Sequence, residues 1–327
     1  MSHSTEGHST EGHSTEGHST EGHSTEGHST EGHSTEGHST AGYEAMGTTV
    51  GASLGRREVL SASGPETITW LQGQLSQDIA GLAVGDSAWT LLLAPQGKVV
   101  AWLRVSRFAD DHLFLDVDRG FADVVMTRLA RFKLRTRCDL DLMNWTSVSL
   151  RGPDSMAVDV PGAIVSNVVD WGVASGIDHL GPDLELPAGV VEVSDDAWTA
   201  RRIEAGEPMM GAELDESTIP AAAGIVDRSV SFTKGCYTGQ ELVARIDSRG
   251  SNTPKRLLGV RVTPSETVVA GDTLSAAGKD VGHVTSVAFS PTAEALVALA
   301  YVARGVGDDA HVTIGSAEHQ LRPLGSL

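Results

Sequence analysis

The hydrophobic pattern divides the chain into a polar leader, an α+β body and a β-rich end. After Ser63-Gly64-Pro65-Glu66, the apolar residues Ile68, Leu71, Leu75 and Ile79 fall on one helical face. Ser63 and Glu66 have capping-box spacing at its start. Two apolar runs follow, Trp89 to Ala94 and Val99 to Val105, and Pro95-Gln96-Gly97-Lys98 between them predicts a hairpin turn. His112 to Val117 predicts a strand. Phe121, Val124, Val125, Leu129 and Phe132 predict a helical stripe, and strands are expected near 138–142 and 146–151. Residues 152–194 mix Gly, Pro, Val and Asp without a readable period. A helix is predicted over Asp195 to Ala205, ended by Gly206 as a left-handed cap. From about Leu257 the helical period disappears. Leu257 to Val262, Val281 to Val287, Ala295 to Val302 and His311 to Ile314 are short β-type runs separated by turns such as Ala277-Gly278-Lys279-Asp280. They predict a small all-β barrel or sandwich.

The leader has no such pattern. Residues 3–40 repeat His-Ser-Thr-Glu-Gly and close on His38-Ser39-Thr40, and no apolar side chain lies between Met1 and Ala41. A segment of this kind buries too little surface to offset its ordering entropy, so 1–44 is expected to be a disordered tail, with Met46 as an alternative start. The eight tail histidines, each with a Glu three residues on in the seven complete repeats, could act as a metal buffer, or the repeat could be a simple tandem expansion. The rest is long enough for more than one domain. A region over 45–250 is expected to hold two α+β subdomains, split near 145–155, with the β unit at 255–327.

The formal charge is −19, and removing the seven repeat glutamates leaves about −12. That surface disfavours direct nucleic-acid and anionic-membrane contact. The two cysteines, Cys138 and Cys236, form no Cys-x-x-Cys pair and fit a reducing compartment. No apolar run approaches a membrane span. A soluble, cytoplasmic monomer is expected. His112, His179, His283, His311 and His319 lack ligand spacing, so the body is expected to bind no metal. Cys138 opens a β-type run and reads as packing.

The chemistry concentrates in Lys234-Gly235-Cys236-Tyr237-Thr238-Gly239-Gln240-Glu241. Thr238 and Glu241 again have capping-box spacing, which predicts a helix from about Gly239, with Glu241 and Arg245 one turn apart and able to pair. Cys236 would lie near the positive end of that helix and close to Lys234, both of which favour a thiolate. A small buried apolar cysteine is the other reading, and the residues alone do not choose between them.

This octapeptide resembles the hallmark of the YgfZ-type folate-binding family, relatives of the glycine-cleavage T-protein. Trp70-Leu71-Gln72-Gly73-Gln74-Leu75-Ser76-Gln77-Asp78-Ile79 is similar to the family's early helix, and Ala94-Pro95-Gln96-Gly97-Lys98 to its Gly-rich hairpin. Arg202-Ile203-Glu204-Ala205-Gly206-Glu207-Pro208, then Glu213-Leu214, Ile219-Pro220 and Gly282-His283-Val284-Thr285-Ser286, follow in the family's order. The resemblance implies an aminomethyltransferase-like ring with a C-terminal β-barrel around a tetrahydrofolate channel. It implies a role in assembling or repairing iron–sulfur enzymes, tRNA-modifying ones included, with client proteins or assembly factors as partners. On the same ground Cys236 is the functional thiol at the mouth of the channel. Lys234, Gly235, Tyr237, Gly239, Gln240, Glu241, Arg245, Gln77 and Asp78 are the expected cofactor contacts. Two departures stand out. Val99-Val100-Ala101-Trp102 lacks the carboxylate that true aminomethyltransferases carry there, and Ala221-Ala222-Ala223-Gly224 replaces a His-Glu pair. The first favours binding over one-carbon transfer. The second leaves a relative that no longer binds folate as an alternative, beside a folate-dependent aminomethyl or methyl transferase.

Overall fold

The computed structural model describes residues 40–250, 252–262 and 267–327. The His repeat and any metal role for it lie outside the described residues. In chain order come α1 (Thr40–Thr48), β1 (Gly51–Leu54), β2 (Arg57–Ser63), α2 (Thr67–Gln74), β3 (Ser87–Leu93), β4 (Val99–Ala109), β5 (His112–Asp118), α3 (Ala122–Lys133), β6 (Asp139–Met143) and β7 (Thr146–Arg151). Then follow β8 (Val165–Val169), β9 (Gly176–Gly181), β10 (Val191–Glu192), α4 (Asp195–Glu204), α5 (Val226–Ser229) and α6 (Gln240–Asp247). The last strands are β11 (Lys255–Arg261), β12 (Thr273–Ala276), β13 (Lys279–Ser290), β14 (Ala295–Ala303), β15 (His311–Ile314) and β16 (Ala317–Arg322).

The first sheet is antiparallel in the order β3-β4-β5-β2-β6. Strand alternation gives it two unlike faces. Ala101, Leu103 and Val105 of β4 and Leu113, Leu115 and Val117 of β5 join a core with Leu71 of α2 and Val125 and Leu129 of α3. Cys138 is part of that core, as its packing reading requires. The intervening Arg104, Asp116 and Asp118 are paired on the other face, where Trp102 both closes the core and lines a cavity. The second sheet runs β10-β1-β7-β9-β8, antiparallel except for β10 beside β1. The C-terminal strands close into a six-stranded barrel, β11-β14-β13-β12-β15-β16, around Val260, Val284, Ala298, Ala300 and Leu321. The fold is a mixed α/β body with a closed barrel. The turn before β13 tightens to Ala277-Gly278, both at positive φ, and Lys279 and Asp280 already belong to the strand.

Several local readings change. Helix α1 starts at Thr40, inside the stretch expected to be tail, because Tyr43 and Met46 are buried against α4 and neighbouring strands. The Tyr43 hydroxyl donates to Glu204 and is hydrogen-bonded to the Thr292 hydroxyl, so a chain beginning at Met46 would lose these contacts. Ser63 ends β2 and does not cap α2. The Glu66 carboxylate is taken by the backbone N–H and guanidinium of Arg137. The α2 helix stops at Gln74, so Leu75 reaches the core from extended chain and Ile79 from the bend that follows. In α3, Val124 and Phe132 are exposed, and Ala122 completes the buried stripe. Gly206 does end α4 at positive φ.

Candidate functional site

The three motifs at the front of the argument converge. The Lys234 ammonium donates to the carbonyls of Gln72, Leu75 and Gln77, each at 2.7 Å. The Gln72 carbonyl is one that the end of α2 leaves without a helical partner, and those of Leu75 and Gln77 belong to the chain just past it, so the lysine satisfies all three. Burial draws the ammonium down to about 8, while the Asp78 carboxylate and the three carbonyls favour the charge. Gln72 reaches forward to Asp78, accepts from the N–H groups of Ile79 and Ala80, and so closes the turn. The N–H of Thr238 donates to Gly73. Lys234, Gln77 and Asp78 thus form one clasp, in which the lysine binds main chain.

The second contact is between glycines. Gly239 has φ +83°, and a Cβ there would meet the Ala94 carbonyl at 2.7 Å and Leu93 at 2.8 Å. Gly97 has φ +72°, and a Cβ there would meet Leu242 at 2.6 Å. The hairpin and the start of α6 therefore touch where neither tolerates a side chain. The expected capping box is absent. Gly239 occupies the N-cap and α6 begins at Gln240. Glu241 and Arg245 are exposed, and no ion pair joins them among the described residues. Tyr237 is buried in the core, and burial pushes its hydroxyl up to about 12. Cys236 is exposed on this clasp, and a side chain at the neighbouring Gly235 would meet nothing within 4 Å. The small-buried reading of Cys236 is thereby removed.

A cavity of about 300 Å³ lies elsewhere, at the lower end of the range for small-molecule sites. It is walled by the polar face of the first sheet (Arg57, Trp89, Trp102, Asp118), by Ser149, Arg151 and Asp178 of the second sheet, by Trp198 and Arg202 of α4, and by Glu207 to Met210. None of Cys236, Lys234, Gly235, Tyr237, Gly239, Gln240, Glu241, Arg245, Gln77 or Asp78 lines it. The expectation of a thiol at its mouth is not met by its lining. The separation follows from the two-faced first sheet: the clasp docks on the apolar side and the cavity opens on the charged side.

The wall is held by a chain of buried ion pairs. Arg57 binds Asp116 at 2.7 Å and also Asp118. Arg104 bridges Asp116 and Asp178, and Arg151 binds Asp178 at 2.9 Å, which ties the two sheets together. Burial alone would raise the Asp178 carboxyl, but Arg151, Arg104 and Arg57 hold it well below the usual carboxylate range. Trp89 and Trp102 stack at 4.3 Å, and the guanidinium of Arg151 covers Trp171 and Trp198 at 4.5 and 4.8 Å. Sequence reasoning missed this site, although a signal existed. Arg57, Arg104, Asp116 and Asp178 sit inside or at the ends of apolar strand runs, where a charge is tolerated only when paired.

Residues 255–323 match the glycine cleavage T-protein C-terminal barrel domain. The aminomethyltransferase T of the glycine cleavage system from Bartonella henselae superposes with a TM-score of 0.76 at 19% identity, covering 88% of this chain and 89% of that one. Fold and barrel together define an aminomethyltransferase-like fold. Within that class, the tRNA-modifying protein YgfZ of Edwardsiella ictaluri is 28% identical over 59% of this chain and 65% of its own. The mitochondrial iron-sulfur cluster assembly factor IBA57 homolog of Chaetomium globosum is 27% identical over 77% of this chain and 65% of its own. The chain is thus similar to YgfZ-type relatives of the T-protein and carries the T-protein barrel domain over 255–323.

Proposed function

We propose that the chain is a cytoplasmic, tetrahydrofolate-binding accessory protein that supports assembly or repair of iron–sulfur proteins, tRNA-modifying enzymes among them. Its partners would be those clients or their assembly factors. The relatives' names support the biological role. The cavity is the observation that carries the ligand. Tetrahydrofolate has a flat bicycle with polar edges and an anionic glutamate tail. The cavity offers indole faces for the ring, and Arg151 Nε is a buried donor with no hydrogen-bond partner among the described residues. Arg119 at its edge is exposed and makes no ion pair among the described residues, which suits the tail. These residues fit the cofactor. Trp89, Trp102, Arg151 and Arg119 would hold it, and folate when bound would supply one-carbon carrier chemistry. On β4 the cavity side carries Trp102, and Ala101 packs into the core, so this strand brings no carboxylate for proton transfer. Asp118 and Asp178 are already engaged by guanidinium groups, and Glu207, which comes from the turn after α4, pairs with Arg228 through one oxygen. That distribution favours binding over transferase chemistry. Cys236, exposed and not part of the cavity lining, would act on a protein partner.

The test is complementation of a deletion strain. Iron–sulfur enzyme activities should fall in the deletion strain. They should return with the full chain and with a chain starting at Thr40, which keeps Tyr43, and should stay low with Cys236→Ala. Unchanged activities in the deletion strain would remove the iron–sulfur role, and rescue by Cys236→Ala would remove the thiol from it. Loss of rescue on cutting at Thr40 would instead point to the His repeat.

A further inference from the structure

Among the carboxylates of the cavity wall, Asp195 is exposed and Glu207 is nearly buried with one oxygen unengaged by the described residues. Asp118 gives one oxygen to Arg57 and the other to the N–H of Met210, and Asp178 gives one each to Arg104 and Arg151. The Glu207 side chain is only 10% exposed, and its Oε2 accepts from Arg228 Nη2 at 2.7 Å. Its Oε1 takes no hydrogen bond among the described residues. Arg228 cannot swing away easily, because its guanidinium lies over Trp102 at 4.5 Å. Glu207 lines the cavity, so this second oxygen is held in place by the Arg228 pair yet open to accept from a ligand there. Burial raises this carboxyl, and Arg228 opposes the shift.

We propose that Glu207, steadied by Arg228, is the acceptor for the paired N–H groups of a 2-amino-4-oxopyrimidine ring edge, and that it makes the cavity select that edge over its 2-oxo counterpart. This rests on the folate reading of the cavity and assigns its ring-recognising group. A carboxylate only accepts, and the pterin edge presents an amino group and a ring N–H side by side. A 2-oxo ring puts a carbonyl oxygen against the same carboxylate. The chain lacks a glutamate in Ala221-Ala222-Ala223, and those residues do not line this cavity. Glu207 reaches the cavity from the turn after α4 and supplies the missing chemistry from another element.

The test uses the full chain and two probes, pterin and lumazine, which is the same bicycle with a carbonyl in place of the 2-amino group. Binding is read by quenching of tryptophan fluorescence, with near-ultraviolet circular dichroism as the check on folding. The wild type should bind pterin at least about tenfold tighter than lumazine, and Glu207→Gln should bring the two within about threefold. If Glu207→Gln does not fold, Glu207→Asp decides: it keeps the charge but withdraws the oxygen, and its preference should fall clearly below that of the wild type. A folded variant with undiminished preference overturns the assignment while leaving folate binding standing. A wild type that binds pterin and lumazine equally does the same. A wild type that binds neither probe nor 5-formyltetrahydrofolate overturns the folate reading itself, and the assignment with it.

Discussion

At the scale of single residues, the family motif is explained by what each side chain touches. Lys234 satisfies three carbonyls, Tyr237 fills the core, Gly239 lets two loops meet, and Cys236 is what the assembly presents. Lys234→Met should therefore destabilise the chain by about 1–3 kcal/mol, because carbonyls at the end of α2 lose their donor. Chemical denaturation measures it, and an unchanged midpoint and slope would show that the clasp adds nothing. The motif was legible as a motif, but the lysine's role was not. Sequence separation hides that position 234 returns to residues 72–77, so a neighbour two positions away looked like the better partner for its charge.

At the scale of elements, glycine positions separate constraint from openness. Gly239→Ala puts a Cβ into left-handed backbone and against the Ala94 carbonyl, and should cost about 1–3 kcal/mol or displace the start of α6. Gly235→Ala meets open space and should stay within about 0.5 kcal/mol of wild type. Thermal unfolding of the pair checks both, and equal losses would contradict the packing described. Strands β3 to β7, helix α4 and the barrel strands β11, β13, β14 and β15 were readable from their apolar runs, whereas β12 and β16, short and mixed with polar residues, were not. Strand β8 was not, because its pattern is inverted: Asn167 is buried and Val168 is exposed. Strand β9 is buried throughout yet carries Asp178 and His179. Both capping boxes failed for local reasons, an arginine competing for Glu66 and a glycine at positive φ in the cap position.

At the scale of the molecule, the ion-pair chain through Asp178 joins two sheets and shapes the cavity. Its folded pKa is depressed, so its stabilisation is present above the unfolded value, near 3.9, and is lost as pH falls below it. Asp178→Asn leaves Arg151 and Arg104 buried with one partner fewer and should cost about 3–5 kcal/mol near neutral pH. The difference from wild type should shrink below about pH 4, as followed by denaturation across pH. A pH-independent difference would assign the loss to packing. The cavity is a property of this scale, which is why the motif alone suggested a single site. Four tryptophans and several paired charges, scattered from Arg57 to Met210, had to be brought together before it existed. The central claim is that this cavity takes the folate and that Cys236 serves a separate surface. Calorimetric titration of 5-formyltetrahydrofolate into wild type and Cys236→Ala tests it most directly. One saturable site with dissociation constants within about twofold of each other is the predicted result. Absence of binding by the wild type, or its loss in a folded Cys236→Ala chain, would contradict it.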